Sequence, residues 1–475
     1  VVCVFTVFCY QPLFEYGINK MFHPAPNNQV IRSMEGKDGT LKMTMDNGDV
    51  LNRKVNIAEG EYRYEATDEK GNSYNLYEDE TAERMKFSDK KYQTIEIEEK
   101  KIESEKNTTK TEENAYQGKL DLITPAAYNN TDGLKLKKGD YISIIGKANG
   151  TQYWDEVKKG VAQAAEDINT NLGYTGKDKV KVAFNAPDTA DNVDDQVNLL
   201  DEELDRYPVA VGISIVDLQA CQVQFDLATD SEIPIVTFDS GSDYQGVAAD
   251  VSTDNVAAGK EAAQRLAEEM GDSGEAVLFI QDSKSQAALQ REKAVTEELK
   301  ANHPNISVVN VYHMDELSNM QKTVSDEINA GTYRPKDSEL PEGQLTGEDV
   351  VTADSITEDQ VVDYILAKHP NITGCFAANG DSVKLAVDGL ERNKMEKKVK
   401  VIGFDANDDE IQDLKDGKVN GLIVQNPFGM GYATVVAAAR ASLNMGNEAV
   451  VNTGYTWVTK KNLKTDEVQK ILYSK

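Results

Sequence analysis

At 475 residues the chain has room for about three domains with sizeable cores. Its formal net charge of −30 argues against nucleic acid or an anionic membrane surface as a partner, since both need clustered Lys and Arg. Four cysteines (Cys3, Cys9, Cys221, Cys375) and four histidines (His23, His303, His313, His369) show neither paired nor metal-ligand spacing, which argues against a disulfide framework or a zinc site.

The first ten residues, VVCVFTVFCY, are almost wholly apolar. They are too few to span a bilayer, which takes about twenty. They read as the tail of a longer hydrophobic segment that starts before residue 1, with residues 1–20 as the remnant of an anchor or signal. An uncleaved anchor is preferred to a signal-peptide remnant, because neither Cys3 nor Cys9 follows the small residue of a lipoprotein signal; a buried N-terminal strand is the alternative. An anchor would leave the rest of the chain on the extracellular face of the membrane or in a periplasm.

From residue 30 to 105 the pattern alternates with period two. Leu41, Met43 and Met45 run into the turn Asp46–Asp49 and out to Val50, Val55 and Ile57, a hairpin signal because Asn and Gly accept positive φ. Tyr62, Tyr64 and Ala66, the turn DEKGN, then Tyr74 and Leu76 suggest a second hairpin, and YQTIEIEE from Tyr92 a further strand. The segment predicts a small antiparallel β module with no chemistry of its own. Residues 106–137, in the wake of the polar run ESEKNTTKTEENAYQ, read as an exposed linker.

Beyond Lys138 strands alternate with helices, the pattern of βαβ units and a mainly parallel sheet. Strands are predicted at Tyr141–Ile145, Val180–Asn185, Val209–Ile215, Ile235–Asp239, Ala276–Gln281, Ser307–Tyr312, Gly374–Ala378, Val399–Asp405 and Gly421–Gln425. Helices include Val193–Tyr207, Asn255–Met270 and Asp381–Lys394. Gly331–Gln360, with Pro335, Pro341 and many acids, reads as a surface insertion. In the first unit, YISIIGKANGTQYWDEVKKGVAQAAEDI, the aromatic pair Tyr153 and Trp154 stands at a strand-to-helix crossover, where open α/β sheets bind ligands. Several later strands close on polar residues: Ser214, Asp239, Asn379, Asp405 and Gln425. Any one of these is ordinarily a helix cap or turn former. Five in succession on the carboxyl edge of parallel strands point to one cleft.

The segments IPIVTFDSG, STDNVAAGKEAAQRLAEEM, QAALQREKAV, CFAANGDSVKLAVDGL, VIGFDANDDEIQDLKDGKVNGLIVQNPFGMG and YTWVTKKNL, in this order, make the chain from Tyr141 onward resemble periplasmic sugar-binding proteins of the ribose-binding type. The resemblance implies two doubly wound parallel-sheet α/β lobes joined by a three-crossover hinge and preceded here by the small β module. The first lobe would take residues 138–251 and 426–457, the second 252–425 and 458–475. It implies ligand contacts at Tyr153, Trp154, Ser214, Asp239, Arg291, Asn379, Asp405 and Gln425, with no metal, cofactor or catalysis. It also implies a carbohydrate ligand and the permease of an ABC importer as partner to a monomer; a tethered sensor signalling to a membrane kinase or chemoreceptor is the alternative. Two departures count against ribose itself: Ser240 stands where ribose binders carry arginine, and Met314 near where an aromatic is expected.

The acidic clusters Asp188–Gln196 and Asp405–Glu410 lack the glycine and terminal glutamate of a calcium loop, and the first reads as a helix start. The close-set glycines after Asn426 lack a phosphate-binding pattern.

Overall fold

The computed structural model describes residues 116–336 and 338–473, together with the backbone of five strands between residues 31 and 76. Those strands, β1 (Ile31–Lys37), β2 (Thr40–Met45), β3 (Val50–Glu59), β4 (Tyr64–Asp68) and β5 (Ser73–Leu76), form an antiparallel meander in sequence order. Thr44 pairs with Val50, and Thr67 with Ser73, so the strands of both expected hairpins are antiparallel neighbours. The apolar N-terminus and the run from Tyr92 lie outside the described residues.

The main body starts with β6 (Tyr141–Ile145), α1 (Gln152–Leu172), β7 (Lys181–Asn185), α2 (Val193–Leu204), β8 (Ala210–Ile213), α3 (Gln222–Asp230), β9 (Ile235–Phe238) and β10 (Ala249–Ser252). The chain then crosses to a second lobe: α4 (Asn255–Met270), β11 (Gly274–Ile280), α5 (Gln286–Asn302), β12 (Ile306–His313), α6 (Leu317–Ala330), α7 (Glu358–Lys368), β13 (Ile372–Ala377), α8 (Gly380–Arg392), β14 (Lys400–Phe404), α9 (Asp408–Asp416) and β15 (Gly421–Gln425). It returns through α10 (Pro427–Ser442) and β16 (Val450–Asn452), and crosses a third time to β17 (Tyr455–Val458) and α11 (Asp466–Ile471). The two six-stranded sheets run β16-β10-β9-β8-β6-β7 and β12-β11-β13-β14-β15-β17, parallel except that β17 opposes β15. Two doubly wound α/β lobes joined by three crossings result, as the sequence implied.

The strands read as apolar runs because helices cover both faces of each sheet. Helix α10 is apolar on every side and buried from Pro427 to Ala439. It crosses α1 at two glycines: a Cβ on Gly160 would lie 2.0 Å from the Phe428 carbonyl oxygen, and one on Gly431 2.1 Å from that of Val157. The glycines after Asn426 are therefore spent on backbone-to-backbone helix packing.

Three placements differ from the sequence reading. The third crossing falls at Thr453–Gly454, so Tyr455–Trp457, expected in the first lobe, pair with β15 of the second. The segment 116–137, expected as the end of an exposed linker, is packed on the main body: Leu120, Ile123, Tyr128, Leu134 and Leu136 are buried in its core. The stretch 338–357 carries no strand, as an insertion should, but Leu345 and Ile356 anchor it in the second lobe.

Candidate ligand-binding cleft

Helix α1 begins at the carboxyl edge of the first sheet because Thr151 caps it, its hydroxyl accepting the Trp154 N–H at 3.2 Å. This start aims the Tyr153 hydroxyl at Asp239, directly after β9: the phenol donates to Oδ1 at 2.6 Å, and Ser214, after β8, donates to Oδ2 at 2.8 Å. Lys147 brings its ammonium to 3.8 Å from the same carboxylate. Burial and the charges of Asp239 and Asp405 push the Tyr153 phenol well above its usual range, so it stays a donor. Trp154 lies deeper in the lobe, edge-on to Tyr153 and Phe238 and tilted on Phe184, where it fixes the ring of Tyr153.

In the second lobe Asp405 follows β14. Its Oδ1 accepts the Gln425 amide at 2.7 Å and its Oδ2 the Gly380 N–H, at the start of α8, at 3.0 Å. Arg291, on α5 and only 2% exposed, divides its guanidinium among three acceptors: the Asn255 amide oxygen at 2.8 Å, the Ala378 carbonyl at 2.7 Å and the Gln425 amide oxygen at 2.6 Å. It also stacks over Phe404 at 4.2 Å. Asn379 caps α8 reciprocally with Ser382, so its amide oxygen already accepts the Ser382 N–H while its amide nitrogen can donate to a ligand. Burial raises the Asp405 pKa, opposed by Arg291 and the Gln425 hydrogen bond. Asp239 and Asp405 both take positive φ, 59° and 74°, a conformation in which a non-glycine residue stores about 1–3 kcal/mol of strain.

Gln425 belongs to the hinge as much as to the site. Its oxygen also accepts from Thr253 at 3.0 Å, in the first crossing, while Asn426 donates to the Thr453 carbonyl at 2.9 Å, in the third. The lobes touch on both flanks of the cleft. Gln152 and Asp408 exchange two hydrogen bonds of 2.7 Å. Opposite them, Gly241 N–H donates to Gln286, Ala287 N–H to the Ser240 hydroxyl, and Leu218 N–H to the Lys284 carbonyl. Ser240, at the departure from ribose binders, is thus a lobe-to-lobe contact.

The structure therefore gathers Tyr153, Ser214 and Asp239 on one edge and Arg291, Asn379, Asp405 and Gln425 on the other. The sequence reading missed Lys147, Thr253, Asn255 and Tyr473. Lys147 was legible as the first residue after the β6 turn; Thr253 and Asn255 stand at the first crossing, and Tyr473 lies past the end of α11, beyond its helical period. The acidic clusters are helix starts: Asn192 caps α2, and Asn407 stands at the N-cap of α9 with its N–H donating to the Glu410 carboxylate.

The sequence profile of the periplasmic binding protein domain matches residues 142–336 and 336–444. The chain belongs to that family. The family is one of solute-binding proteins rather than enzymes. Among curated relatives, the ribose import binding protein of Haemophilus influenzae is 24% identical over 45% of this chain and 59% of its own length, so the chain spans less than two thirds of that relative. The ribose import binding protein of Bacillus subtilis is 23% identical over 64% of this chain and 81% of its own. A carbohydrate transporter solute binding protein from Agrobacterium radiobacter, solved in complex with D-arabinose, is similar at 26% identity and a TM-score of 0.56, over 70% of this chain and 98% of that one. An ABC transporter solute binding protein from Agrobacterium vitis, bound with α-D-tagatopyranose, shares the fold at 22% identity and a TM-score of 0.57, over 71% of this chain and all of its own.

Proposed function

We propose that this protein closes around a small carbohydrate outside the cell and, as a monomer, delivers it to the permease of an ABC importer without chemical change. The observation that carries this reading is the pair of strand-end aspartates. Asp239 and Asp405 come from opposite lobes, and each is held by donors that a sugar hydroxyl can join or replace. A sugar offers hydroxyls that donate and accept and C–H faces that pack on aromatic rings. Asp239 and Asp405 accept its protons in charge-assisted bonds; Arg291, Lys147 and the Asn379 amide donate. The Tyr153 ring, stiffened by Trp154, packs against a C–H face. Closure of the lobes buries these groups, and a mismatched hydroxyl then costs about 1–3 kcal/mol, enough to separate epimers. With Ser240 in place of arginine and Lys147 beside Asp239, the site suits a sugar other than ribose.

The test is a thermal-shift screen of the full chain against pentoses, hexoses, inositols and small furanosyl compounds. A sugar that binds only the folded state stabilises it by about 2.7 kcal/mol at a hundredfold excess over Kd, so Tm must rise for one sugar and not for its epimer. Asp239→Asn and Asp405→Asn should each abolish that shift. A shift that survives both substitutions, or none with any compound, would overturn the reading.

A further inference from the structure

The segments that flank the two lobes converge on the side of the hinge away from the cleft mouth. On the N-terminal side, Tyr116 stacks on Phe428 with ring centroids 4.4 Å apart and 9° between the planes. Lys119 and Glu156 form an ion pair, both 6% exposed or less, and Glu156 lies on α1 two residues past Trp154. The Lys119 carbonyl accepts the Asn426 amide at 2.7 Å, in the second crossing. Thr124 and Asn452 exchange backbone hydrogen bonds of 2.8 and 2.9 Å at the edge of the third. Leu122 lies against Gly454, and Gly118 against Lys470 of α11.

On the C-terminal side Tyr473, two residues past the end of α11 and 6% exposed, lies between the lobes. Its hydroxyl accepts the Ala406 N–H at 2.8 Å, in the turn after Asp405, and its ring meets Tyr153 edge-on at 6.3 Å. Tyr473 thus touches a cleft residue of the first lobe and the strand-end turn of the second.

We propose that residues 116–124 and 466–473 together form a brace behind the hinge that favours the closed cleft and ties its state to the N-terminal part of the chain. Opening rotates the lobes about three crossings. A segment bonded to two of them, and packed on a tail wedged between Tyr153 and Ala406, cannot keep all of these contacts through that rotation. The coupling is reciprocal: closing the cleft orders the brace, and loosening the brace opens the cleft. The polar composition that makes residues 103–117 read as a linker hides this, because the apolar anchors begin only at Tyr116.

The experiment uses the full chain with Cys3→Ser and Cys9→Ser, and spin labels at Val223→Cys and Leu289→Cys. These sites are exposed at 54% and 38% and lie on opposite lobes, while Cys221 and Cys375 are buried and stay unlabelled. Tyr473→Phe removes one hydroxyl, and Lys119→Met removes the cation but keeps the stem. Without sugar, each variant should raise the long-distance, open population by about threefold over the parent, and with D-arabinose as probe raise Kd by a similar factor. Variants that lower Tm yet keep the parent's distance distribution would overturn the brace and leave only packing. The D-arabinose arm rests on the carbohydrate reading, whereas the sugar-free distances decide the brace even if no sugar binds.

Discussion

In the first lobe Asp239 takes its hydrogens from two hydroxyls, Tyr153 and Ser214; in the second Asp405 takes them from the Gln425 amide and the Gly380 backbone. The backbone conformation is alike at the two positions and the donors are not. A hydroxyl hydrogen swings about its C–O bond and can be turned to a new acceptor. The Gln425 amide is planar and its oxygen is already held by Arg291 and Thr253, so Asp405 is fixed by the same network that fixes the hinge. The first lobe is thus the adaptable half of the site and the second the rigid half, and ligand bound to the rigid half acts on the crossings directly.

The largest effect should come from the rigid half. Arg291→Met takes this donor from the Asn255 oxygen and the Ala378 carbonyl, leaves the Gln425 oxygen with Thr253 alone, and removes the positive charge that favours the buried Asp405 carboxylate. Breaking such a network by removing one charged partner costs about 3–5 kcal/mol, measured as loss of unfolding free energy in urea. Ser214→Ala in the first lobe removes one neutral donor and should cost about 1 kcal/mol. If the two variants prove equally stable, the contrast between the lobes is wrong.

The same contrast governs what was legible in the sequence. Tyr141–Ile145, Asn255–Met270 and Gly421–Gln425 stand in the structure with the bounds expected of them, because each is an apolar run or amphipathic period with a cap or turn at its ends. Strand-end polar residues were legible for a related reason: the apolar run stops there and a carboxylate, amide or hydroxyl follows. The short strands β10, β16 and β17 were not. They are three or four residues long, and what makes them strands is their partners, which a local pattern does not contain; Val450 of β16 is even 61% exposed. The segment 116–137 escaped because Leu120, Ile123, Tyr128, Leu134 and Leu136 follow no helical or strand period. Arg291 became a site residue only through resemblance, since an arginine within a charged helix looks solvated. Its three acceptors arrive from the first crossing, the end of β13 and the end of β15.

A titration sharpens the comparison next. The second lobe has a further carboxyl beside Asp405. Glu410, 3% exposed, accepts the Asn407 N–H at 2.5 Å, and burial together with the Asp405 charge pushes its pKa up to about 8. In the unfolded chain the group titrates near 4.3. Between these values the folded state binds the extra proton, so stability falls as pH rises through this window and the loss is complete above about pH 8. Glu410→Gln keeps the acceptor and removes the titration. Relative to that variant, the parent should lose on the order of 1–3 kcal/mol between pH 5 and pH 8, read from urea midpoints. Parallel pH profiles would place the Glu410 charge outside the rigid half's energetics.

The smallest effect tests whether the two halves need each other apart from the ligand. Gln152 stands in the first turn of α1, one residue before Tyr153, and trades two hydrogen bonds with Asp408 at the start of α9. Neither side chain is buried in a lobe core, so Gln152→Ala leaves both lobes intact and removes only the two bonds that exist when they meet. Exposed hydrogen bonds of this kind contribute about 0.5–1.5 kcal/mol, and the loss falls wholly on the closed state. Kd for the identified sugar should therefore rise by about threefold while the ligand-free Tm stays within a degree or two of the parent. Gln286→Ala, which removes the Gly241 contact on the opposite flank, should act in the same way and by a similar factor. An unchanged Kd in both would mean that the Gln152 and Gln286 contacts contribute nothing to closure.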